Sequence, residues 1–300
     1  MPKLGEGPAL ATAKASASAS GRVLRILVLD AYAPEGRAAV RGAGGTEAGR
    51  LYERMLKRIA PDAIVDVAYP ADPDPKLPSG VAIRDYDGIA WTGSSLTIHV
   101  ESDPRVARQL EFAREVYAQK VPSFGSCWAA QLSVAAAGGR CDVNPKGREF
   151  GVARRITLSE VGRAHPLFRD KPVQFDAWTS HADHVVALCD GAELLASNAW
   201  SRVQAVAVER AGGRFWALQY HPEYDAHEVA SLCRLRKDEL VAQGTFADDA
   251  AADDWIARLE ALHADPADTA LAASLGVDAS LLDFAQRTIE VRNWLASLRR

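Results

Sequence analysis

The sequence predicts an α/β protein with a doubly wound, mostly parallel sheet, helices on both faces of that sheet, and a C-terminal helical extension. Residues 23–30 are a continuous apolar run that ends in Asp30, which is typical of a central parallel strand. Further apolar runs alternate with amphipathic segments as far as residue 137, which is the pattern of a parallel sheet with helical crossovers. Beyond residue 224 the spacing of apolar residues is helical.

After the first strand, the predicted elements follow in the order helix, strand, loop, strand, helix. They are a loop and amphipathic helix over 44–59, a strand over 63–69, a proline-rich loop over 70–80, a strand over 87–91 and a helix over 106–119. Between residues 150 and 220 the predicted strands are shorter and joined by turn residues, which indicates antiparallel additions at the sheet edge. The helices predicted after Tyr224 cover 226–242, 248–263 and 280–298.

The composition argues against several classes of protein. The chain has 300 residues, 35 Lys and Arg, 39 Asp and Glu, and a formal net charge of −4. It has no basic stripe with interleaved aromatic residues, so nucleic-acid binding is not expected. A membrane span is not expected either, because no run of about eighteen apolar residues occurs.

The cysteines and the N-terminal segment indicate a cytoplasmic protein. No pair of cysteines has C-x-x-C spacing, which disfavours a structural zinc site or a disulfide framework and fits a reducing compartment. Residues 1–21 are rich in Ala and Ser, lack aromatic residues and are predicted to be a disordered tail. This segment also lacks the apolar central region of a signal peptide.

Cys127 lies at a predicted strand-to-helix corner. Residues 121–126 read as a strand, Gly125 is expected to supply a tight turn, and the alanine-rich residues 128–137 are predicted to be a helix. The thiol would then be exposed, with the first N–H groups of the helix pointing at it, which favours the thiolate. This is the geometry of a nucleophile elbow. The alternative is a small buried hydrophobe, which is what most free cysteines are.

A base for this nucleophile is found far downstream, in His221-Pro222-Glu223 at the end of an apolar, aromatic strand. Residues i and i+2 of an extended segment point to the same side, and Pro222 keeps His221 extended. Glu223 can therefore accept a hydrogen bond from one ring nitrogen of His221 while the other faces the cavity. Ligands of parallel sheets bind at the carboxyl ends of the strands. The residues at such ends are Asp30, Gly93, Cys127 and His221.

These motifs resemble those of class I (triad-type) glutamine amidotransferases. Residues 125–131 are similar to the family's nucleophile motif and residues 219–223 to its His-Pro-Glu motif. Residues 86–95 resemble its oxyanion strand and loop, 148–151 a segment after the nucleophile helix, and 180–183 its Ser-His-x-Asp stretch. The similarity is nearest to the amidotransferase domain of GMP synthetases and to stand-alone relatives. It predicts an amidotransferase-like domain over residues 22–240 and leaves 241–300 as a helical extension.

The resemblance implies roles for individual residues. Cys127 would attack the side-chain amide of glutamine, and His221 and Glu223 would complete a catalytic triad. The oxyanion would be held by the backbone N–H groups of Gly93, Ser94 and Trp128, although most members carry glycine where Ser94 stands. The residues that would contact the substrate are Gln131, Ser180 and Asp183. This mechanism requires no metal and no organic cofactor.

The expected reaction is hydrolysis of the glutamine side-chain amide through a γ-glutamyl thioester. No Walker-type phosphate loop follows the amidotransferase-like part, so a separate synthase subunit could take up the ammonia, or none does. A γ-glutamyl peptidase or hydrolase would use the same triad, because its scissile bond is an amide on the same γ-carbonyl. A non-catalytic amidotransferase-like subunit is a further alternative, and the intact triad residues count against it.

Overall fold

The computed structural model describes residues 22–100 and 102–299 and confirms the α/β class; the predicted tail over residues 1–21 lies outside the described residues. The strands are β1 (Arg25–Leu29), β2 (Ile64–Ala68), β3 (Gly88–Trp91), β4 (Ser123–Ser126), β5 (Arg140–Val143), β6 (Glu149–Leu158), β7 (Gln174–His181), β8 (Asp183–Ala187), β9 (Ala192–Ser197), β10 (Ala205–Arg210) and β11 (Gly213–Leu218).

The α-helices lie between the strands and make up most of the C-terminal part of the chain. They are α1 (Pro34–Gly42), α2 (Ala48–Ile59), α3 (Pro104–Gln119), α4 (Trp128–Ala136), α5 (Glu160–Ala164), α6 (Ala226–Ala242), α7 (Asp249–Ala264), α8 (Thr269–Leu275), α9 (Ala279–Leu282), α10 (Phe284–Arg287) and α11 (Ile289–Leu298). Short 3₁₀ turns lie at Ile83–Asp85 and Pro166–Phe168. Across the two described ranges, no helix combines the length and the apolar character that crossing a bilayer would require.

The central sheet combines a parallel part with an antiparallel part. Among the described residues, nine strands form it in the order β2-β1-β3-β4-β11-β10-β9-β6-β7. The strands from β2 to β11 in that order run parallel, and the remaining neighbours pair antiparallel. The antiparallel strands β6, β7, β9 and β10 lie between residues 149 and 210, which agrees with the antiparallel additions predicted between residues 150 and 220. β5 and β8 form a separate antiparallel pair.

Alternating residues of β1 face two apolar layers, as the pleat of a strand requires. Leu27 and Leu29 pack in the layer that contains the apolar faces of α3 and α4. Ile26 and Val28 pack in the opposite layer with residues of α2 and α11. Helices therefore cover both faces of the sheet, which confirms the doubly wound arrangement.

Some elements differ from the predicted ones. Helix α1 is not among the predicted elements, although Pro34 stands at its first turn, where a missing N–H costs little. The helix predicted over 280–298 is divided into α9, α10 and α11, because Asp283 caps a new helix by accepting a hydrogen bond from the N–H of Ala285. β6 has ten residues, so the strands of the antiparallel part are not all short.

The C-terminal helices pack against the rest of the chain. Trp294 of α11 stacks on Phe124 of β4, with ring centroids 5.5 Å apart. Helices α6 to α9 surround an apolar cluster that includes Trp178 of β7, and the indole N–H of Trp178 donates a 3.2 Å hydrogen bond to the carbonyl of Leu281. The chain after residue 240 therefore contributes to the apolar layers around the sheet.

Candidate active site

Cys127 occupies the sharp corner between β4 and α4. Its backbone has φ 53° and ψ −102°, in a region that non-glycine residues adopt only under strain. Its N–H donates a 2.7 Å hydrogen bond to the carbonyl of Leu218, and its carbonyl accepts one of 2.9 Å from the N–H of Ala130. These bonds hold the corner between the end of β11 and the first turn of α4, in the manner of a nucleophile elbow.

Gly125 has a different role from the expected one. It lies within β4, and the positive φ falls at Cys127, so Gly125 does not form the turn. A Cβ atom on Gly125 would lie 2.4 Å from Ala129 Cβ and 2.4 Å from the carbonyl oxygen of Trp91. Glycine is required there because β3 and α4 approach this strand so closely.

The thiol of Cys127 is buried, which corrects the expectation that it is exposed. The residue is 6% exposed, and Sγ donates a 3.8 Å hydrogen bond to the carbonyl of Ser180. Residues of the loop after β3 and of the β7–β8 connection lie over the elbow and line a cavity of about 80 Å³ that Cys127 also lines. A molecule in this cavity would therefore contact Cys127, although the thiol is largely shielded from bulk solvent.

His221 and Glu223 form a buried pair just after β11. Nδ1 of His221 lies 2.7 Å from Oε1 of Glu223. The backbone N–H of His221 donates to the carbonyl of Trp178 at 2.8 Å, and the imidazole stacks on the ring of Tyr224 with centroids 3.9 Å apart. Nε2 of His221 is buried and has no hydrogen-bond partner within the described part of the chain. That nitrogen is therefore free to exchange a proton with a reacting group.

The loop after β3 brings this pair next to the nucleophile. A Cβ atom on Gly93 would lie 3.0 Å from Cε1 of His221 and 3.6 Å from Cβ of Cys127, so both side chains flank the same glycine.

Burial lowers the pKa of His221, but the Glu223 carboxylate and the Cys127 side chain outweigh burial and raise the pKa to about 9. His221 is therefore mainly an imidazolium at neutral pH.

The carboxylate of Glu223 is held by a chain of two hydroxyl groups that is not predicted from the sequence. Ser126 Oγ donates a 2.9 Å hydrogen bond to Oε1 of Glu223, and Tyr52 Oη donates one of 2.7 Å to Ser126 Oγ. All three side chains are buried. Ser126 stands beside Cys127 in the sequence, which is a local signal, whereas Tyr52 lies far away in α2 and gives none.

The predicted oxyanion donors lie around the elbow. Trp128 is the first residue of α4, where N–H groups have no partner inside the helix. No hydrogen bond in residues 22–100 and 102–299 is donated by the backbone N–H of Gly93, Ser94 or Trp128. Ser94 Oγ donates to the carbonyl of Ala31 at 2.9 Å and accepts from the N–H of Leu96, which fixes the loop. Free backbone donors beside a nucleophile are what a developing oxyanion requires.

The predicted substrate residues Gln131, Ser180 and Asp183 all line the same cavity as Cys127. Gln131 Nε2 donates a 3.1 Å hydrogen bond to the carbonyl of Asp183. Ser180 Oγ is buried without a partner among the described residues. Burial raises the pKa of Asp183, and His99, whose Nδ1 lies 3.8 Å from the carboxylate, opposes that rise. The cavity thus offers an amide, a hydroxyl and a carboxyl group.

Two arginines of this cavity have no predicted role in the sequence analysis. Arg148 precedes β6 and Arg236 lies in α6, and both line the cavity with Cys127. The segment 148–151 carries a family resemblance, which is a signal for Arg148. Arg236 lies outside every motif, so its position near Cys127 depends on how α6 docks.

Three large side chains near the site are held by packing or hydrogen bonds. His181 is buried with Nε2 2.9 Å from Oε2 of Glu149 and Nδ1 2.9 Å from the carbonyl of Asp183. Trp91 and Trp128 are buried in the layer of α3 and α4. In the described ranges, no group of three or more His, Cys, Asp or Glu side chains is placed to hold a metal ion.

Comparison with known proteins identifies relatives of two kinds. The family model for class-I glutamine amidotransferases matches residues 99–232. A γ-glutamyl-L-1-hydroxyisopropylamide hydrolase of a Pseudomonas species is 33% identical over 293 residues, which cover 92% of this chain and 93% of that protein. The glutamine-hydrolysing GMP synthase of Thermotoga maritima is 28% identical over 201 residues, which cover 63% of this chain and 36% of that protein.

Solved structures share the fold. A glutamine amidotransferase from Methylobacillus flagellatus superposes with a TM-score of 0.64 at 20% identity, covering 93% of this chain and 97% of that one. A glutamine amidotransferase from Thermotoga maritima gives a TM-score of 0.63 at 15% identity, covering 93% and 99%. Because both alignments cover 93% of this chain, they extend beyond the central sheet into the C-terminal part.

Proposed function

The chain belongs to the class-I glutamine amidotransferase family of cysteine-dependent amide hydrolases, and from this premise we propose that it hydrolyses the γ-amide bond of γ-glutamyl compounds with Cys127, His221 and Glu223 as its catalytic triad. The observation that carries the proposal is the convergence at Gly93, where a strained elbow cysteine and a carboxylate-paired histidine flank one backbone position. This is the nucleophile, base and orienting group that acyl transfer requires.

The proposed reaction passes through a covalent intermediate. The Cys127 sulfur attacks as a thiolate, with its proton already held by His221, and forms a bond to the γ-carbonyl carbon as the carbonyl π bond opens. The oxyanion that develops accepts hydrogen bonds from the backbone N–H groups of Gly93, Ser94 and Trp128. Protonated His221 then gives its Nε2 proton to the leaving amine as the C–N bond breaks, which leaves a γ-glutamyl thioester. His221 next takes a proton from water, the hydroxyl attacks the thioester carbonyl, and the C–S bond breaks, which releases glutamate and restores the Cys127 thiolate beside protonated His221.

Glu223 supports both steps through the tautomer and the charge of His221. Its contact with Nδ1 keeps a proton on that nitrogen and leaves Nε2 for the reacting groups. The hydrogen bond from Ser126 holds the carboxylate in place.

We favour a γ-glutamyl amide whose amine is larger than ammonia as the substrate. The Pseudomonas γ-glutamyl-amide hydrolase aligns over nearly the whole of both chains, so the similarity includes the C-terminal helices. The GMP synthase relative supports the second candidate, glutamine hydrolysis that supplies ammonia to a separate synthase subunit. This chain spans about a third of that synthase, so its remaining activity would have to come from another polypeptide.

The two candidates differ in the substrate they use best. The purified protein would be given L-glutamine, γ-glutamyl-isopropylamide and γ-glutamyl-ethylamide, and glutamate release would be measured as kcat/KM. Higher kcat/KM for the alkylamides supports the hydrolase. A higher kcat/KM for glutamine, which rises further when the separate synthase subunit is added, supports the amidotransferase and overturns the choice of substrate.

The triad itself is tested at its nucleophile. We expect Cys127→Ala to lower kcat by about 10⁴-fold or more, because no other group can form the thioester. The matched control is Cys189→Ala, a half-buried cysteine that does not line the cavity and should keep wild-type kcat. A glutamine-mimicking electrophile should add one equivalent to wild type and to Cys189→Ala, as measured by mass spectrometry, and none to Cys127→Ala. Turnover near the wild-type rate in Cys127→Ala would refute the assignment.

A further inference from the structure

Arg148 and Arg236 form a fixed pair on one wall of the cavity that Cys127 lines. Both contact Glu239 of α6: Nε of Arg148 donates at 2.8 Å to Oε1, and Nη1 of Arg236 donates at 3.4 Å to Oε2. Burial raises the pKa of Glu239, but the contacts with Arg148 and Arg236 outweigh burial and lower it. One ionised carboxylate therefore orients two guanidinium groups, and the three groups together keep one positive charge.

The pair has donors left over after these contacts. No hydrogen bond made within the described ranges uses Nη1 or Nη2 of Arg148. Nε of Arg236 is buried and lacks a partner among the same residues. An unpaired buried N–H group on a charged side chain is costly unless a ligand satisfies it. The side chains of Arg148 and Arg236 are only 10% and 18% exposed, so bulk water reaches few of their N–H donors.

The backbone at Arg236 also departs from regular structure. It has φ −117° and ψ 15° inside α6, where the helix is kinked. A kink away from proline needs a specific cause, and departures of this kind occur often at functional positions. Here the irregular residue is the one that places a guanidinium group at the cavity.

The cavity contains a complementary negative group. The carboxyl group of Asp183 lines it together with the arginines and is 12% exposed at the side chain. A wall with two guanidinium groups and a separate carboxylate matches a small molecule that carries one carboxylate and one ammonium group. The α-carbon of a γ-glutamyl compound carries both of these, at the end remote from the scissile amide.

We infer that Arg148 and Arg236 bind the α-carboxylate of the substrate and so restrict the enzyme to acyl groups that carry one, an inference that rests on the proposed γ-glutamyl chemistry. Guanidinium groups bind carboxylates through paired, charge-assisted hydrogen bonds. Asp183 accepts the α-ammonium group. Simple amides are selected against because they lack the carboxylate and so gain none of these hydrogen bonds.

The test compares two ligands that differ only in the α-carboxylate. The Cys127→Ala protein, which cannot turn substrate over, is titrated by calorimetry with L-glutamine and with 4-aminobutanamide, which keeps the ammonium and amide groups. We expect glutamine to bind more tightly. Arg148→Gln and Arg236→Gln, each added to Cys127→Ala, should weaken glutamine binding about 10- to 100-fold and change 4-aminobutanamide binding less than about 2-fold.

Arg234→Gln is the matched control, because Arg234 is an arginine of the same helix that pairs with Glu260 and does not line the cavity. It should leave glutamine binding unchanged. If the arginine variants weaken both ligands equally, or neither, the assignment is overturned. Arg148→Lys and Arg236→Lys, which keep the charge and lose the paired geometry, should fall between wild type and the Gln variants.

Kinetics on the active chain separates this inference from the proposed function. With Cys127 present, the Arg→Gln variants should raise KM for γ-glutamyl-p-nitroanilide about 10- to 100-fold and change kcat less than about 3-fold. A loss confined to kcat would contradict a role in carboxylate binding while leaving the triad intact. If the wild-type protein were inactive but the calorimetric preference for glutamine over 4-aminobutanamide still depended on the two arginines, the proposed function would be contradicted and the assignment of the arginines would stand.

Discussion

At the scale of single residues, Glu223 determines the charge of His221. Without the carboxylate, burial would lower the pKa of the imidazole; with it and Cys127, the pKa rises to about 9. A raised pKa means that the folded state holds the proton more tightly than the unfolded state does. The resulting stability is complete below the unfolded pKa, about 6.5, and is lost as pH rises towards 9.

The same proton is needed in the proposed mechanism, which gives a prediction for the pH profile. The alkaline limb of kcat/KM should fall through the pKa of free His221, near 9. In Glu223→Gln the favourable charge is lost, so we expect this limb to move to lower pH by at least about one pH unit, with a lower maximum. This shift is checked by measuring kcat/KM of both proteins from about pH 5 to about pH 10, a range that includes the alkaline limb.

Ser126→Ala is the matched control for that profile. It removes the 2.9 Å hydrogen bond to Glu223 but keeps the negative charge. The maximum should fall modestly while the alkaline limb stays near its wild-type position. If Glu223→Gln and Ser126→Ala moved the limb equally, the charge of Glu223 would not be what raises the pKa of His221.

The sequence predicts some of these residues better than others. Cys127, His221 and Glu223 can be predicted as site residues because each lies in a short motif whose local geometry follows from neighbouring residues. Tyr52 and Arg236 are not, because their contacts near the site join α2 and α6 to the elbow across long separations in the chain. Exposure of Cys127 is predicted wrongly for the same reason: the segments that cover it come from other parts of the sequence.

At the scale of elements, the elbow depends on how closely β3, β4 and α4 approach one another. A methyl group on Gly125 would lie 2.4 Å from the backbone oxygen of Trp91 and from Cβ of Ala129. The backbone oxygen cannot move without breaking the parallel pairing of β3 and β4. The glycine is therefore a packing requirement of the strand, and the strain of the corner lies at Cys127.

Gly125→Ala should consequently destabilise the fold by about 1–3 kcal/mol, the usual cost of overpacking a well-packed core, and lower kcat by displacing Cys127. Urea denaturation and kcat measure the two effects. Gly42→Ala is the control, because a Cβ atom there meets nothing within 4 Å and alanine favours the helix end. Equal stability of the two variants would contradict this account of the elbow.

The predicted helices and strands agree with the structure where the residue pattern is periodic and local. The first strands and α3 follow from apolar runs and amphipathic spacing. The division of residues 280–298 into α9, α10 and α11 was missed because helical spacing continues through Asp283, while its side chain starts a new helix by capping Ala285. The sheet order could not be read from the pattern, since β11 enters between β4 and β10 by pairing over a large separation in sequence.

At the scale of the whole molecule, the last helix is bound to the core next to the candidate site. Residues 241–300 are predicted as a helical extension, and the structure places Val291, Trp294 and Leu295 of α11 in the apolar layer of the sheet. Sequence spacing predicts the helix but not the surface it covers, because that surface is formed by strands far earlier in the chain. A chain that ended at residue 240 would expose this layer.

Helix α11 forms a buried ion pair with the segment before β7. Glu290 is fully buried, and Nζ of Lys171 lies 3.0 Å from its Oε1. The hydroxyl of Tyr220, the residue before His221, donates to the same carboxylate. This carboxylate thus connects the C-terminal helix, the segment before β7 and the strand end that carries His221. Removing one member would leave a charge buried and unpaired, which is costlier than removing both.

Glu290→Ala should therefore destabilise the protein by about 3–5 kcal/mol, because Lys171 keeps its buried charge without an ionised partner. The double variant Lys171→Met/Glu290→Leu replaces the pair with apolar groups of similar size and should recover most of that loss. Urea denaturation of wild type, the single variant and the double variant measures it, and kcat per folded molecule shows whether Tyr220 transmits the change to His221. A double variant as unstable as Glu290→Ala would mean that the carboxylate matters for its bond to Tyr220 and not for the charge of Lys171.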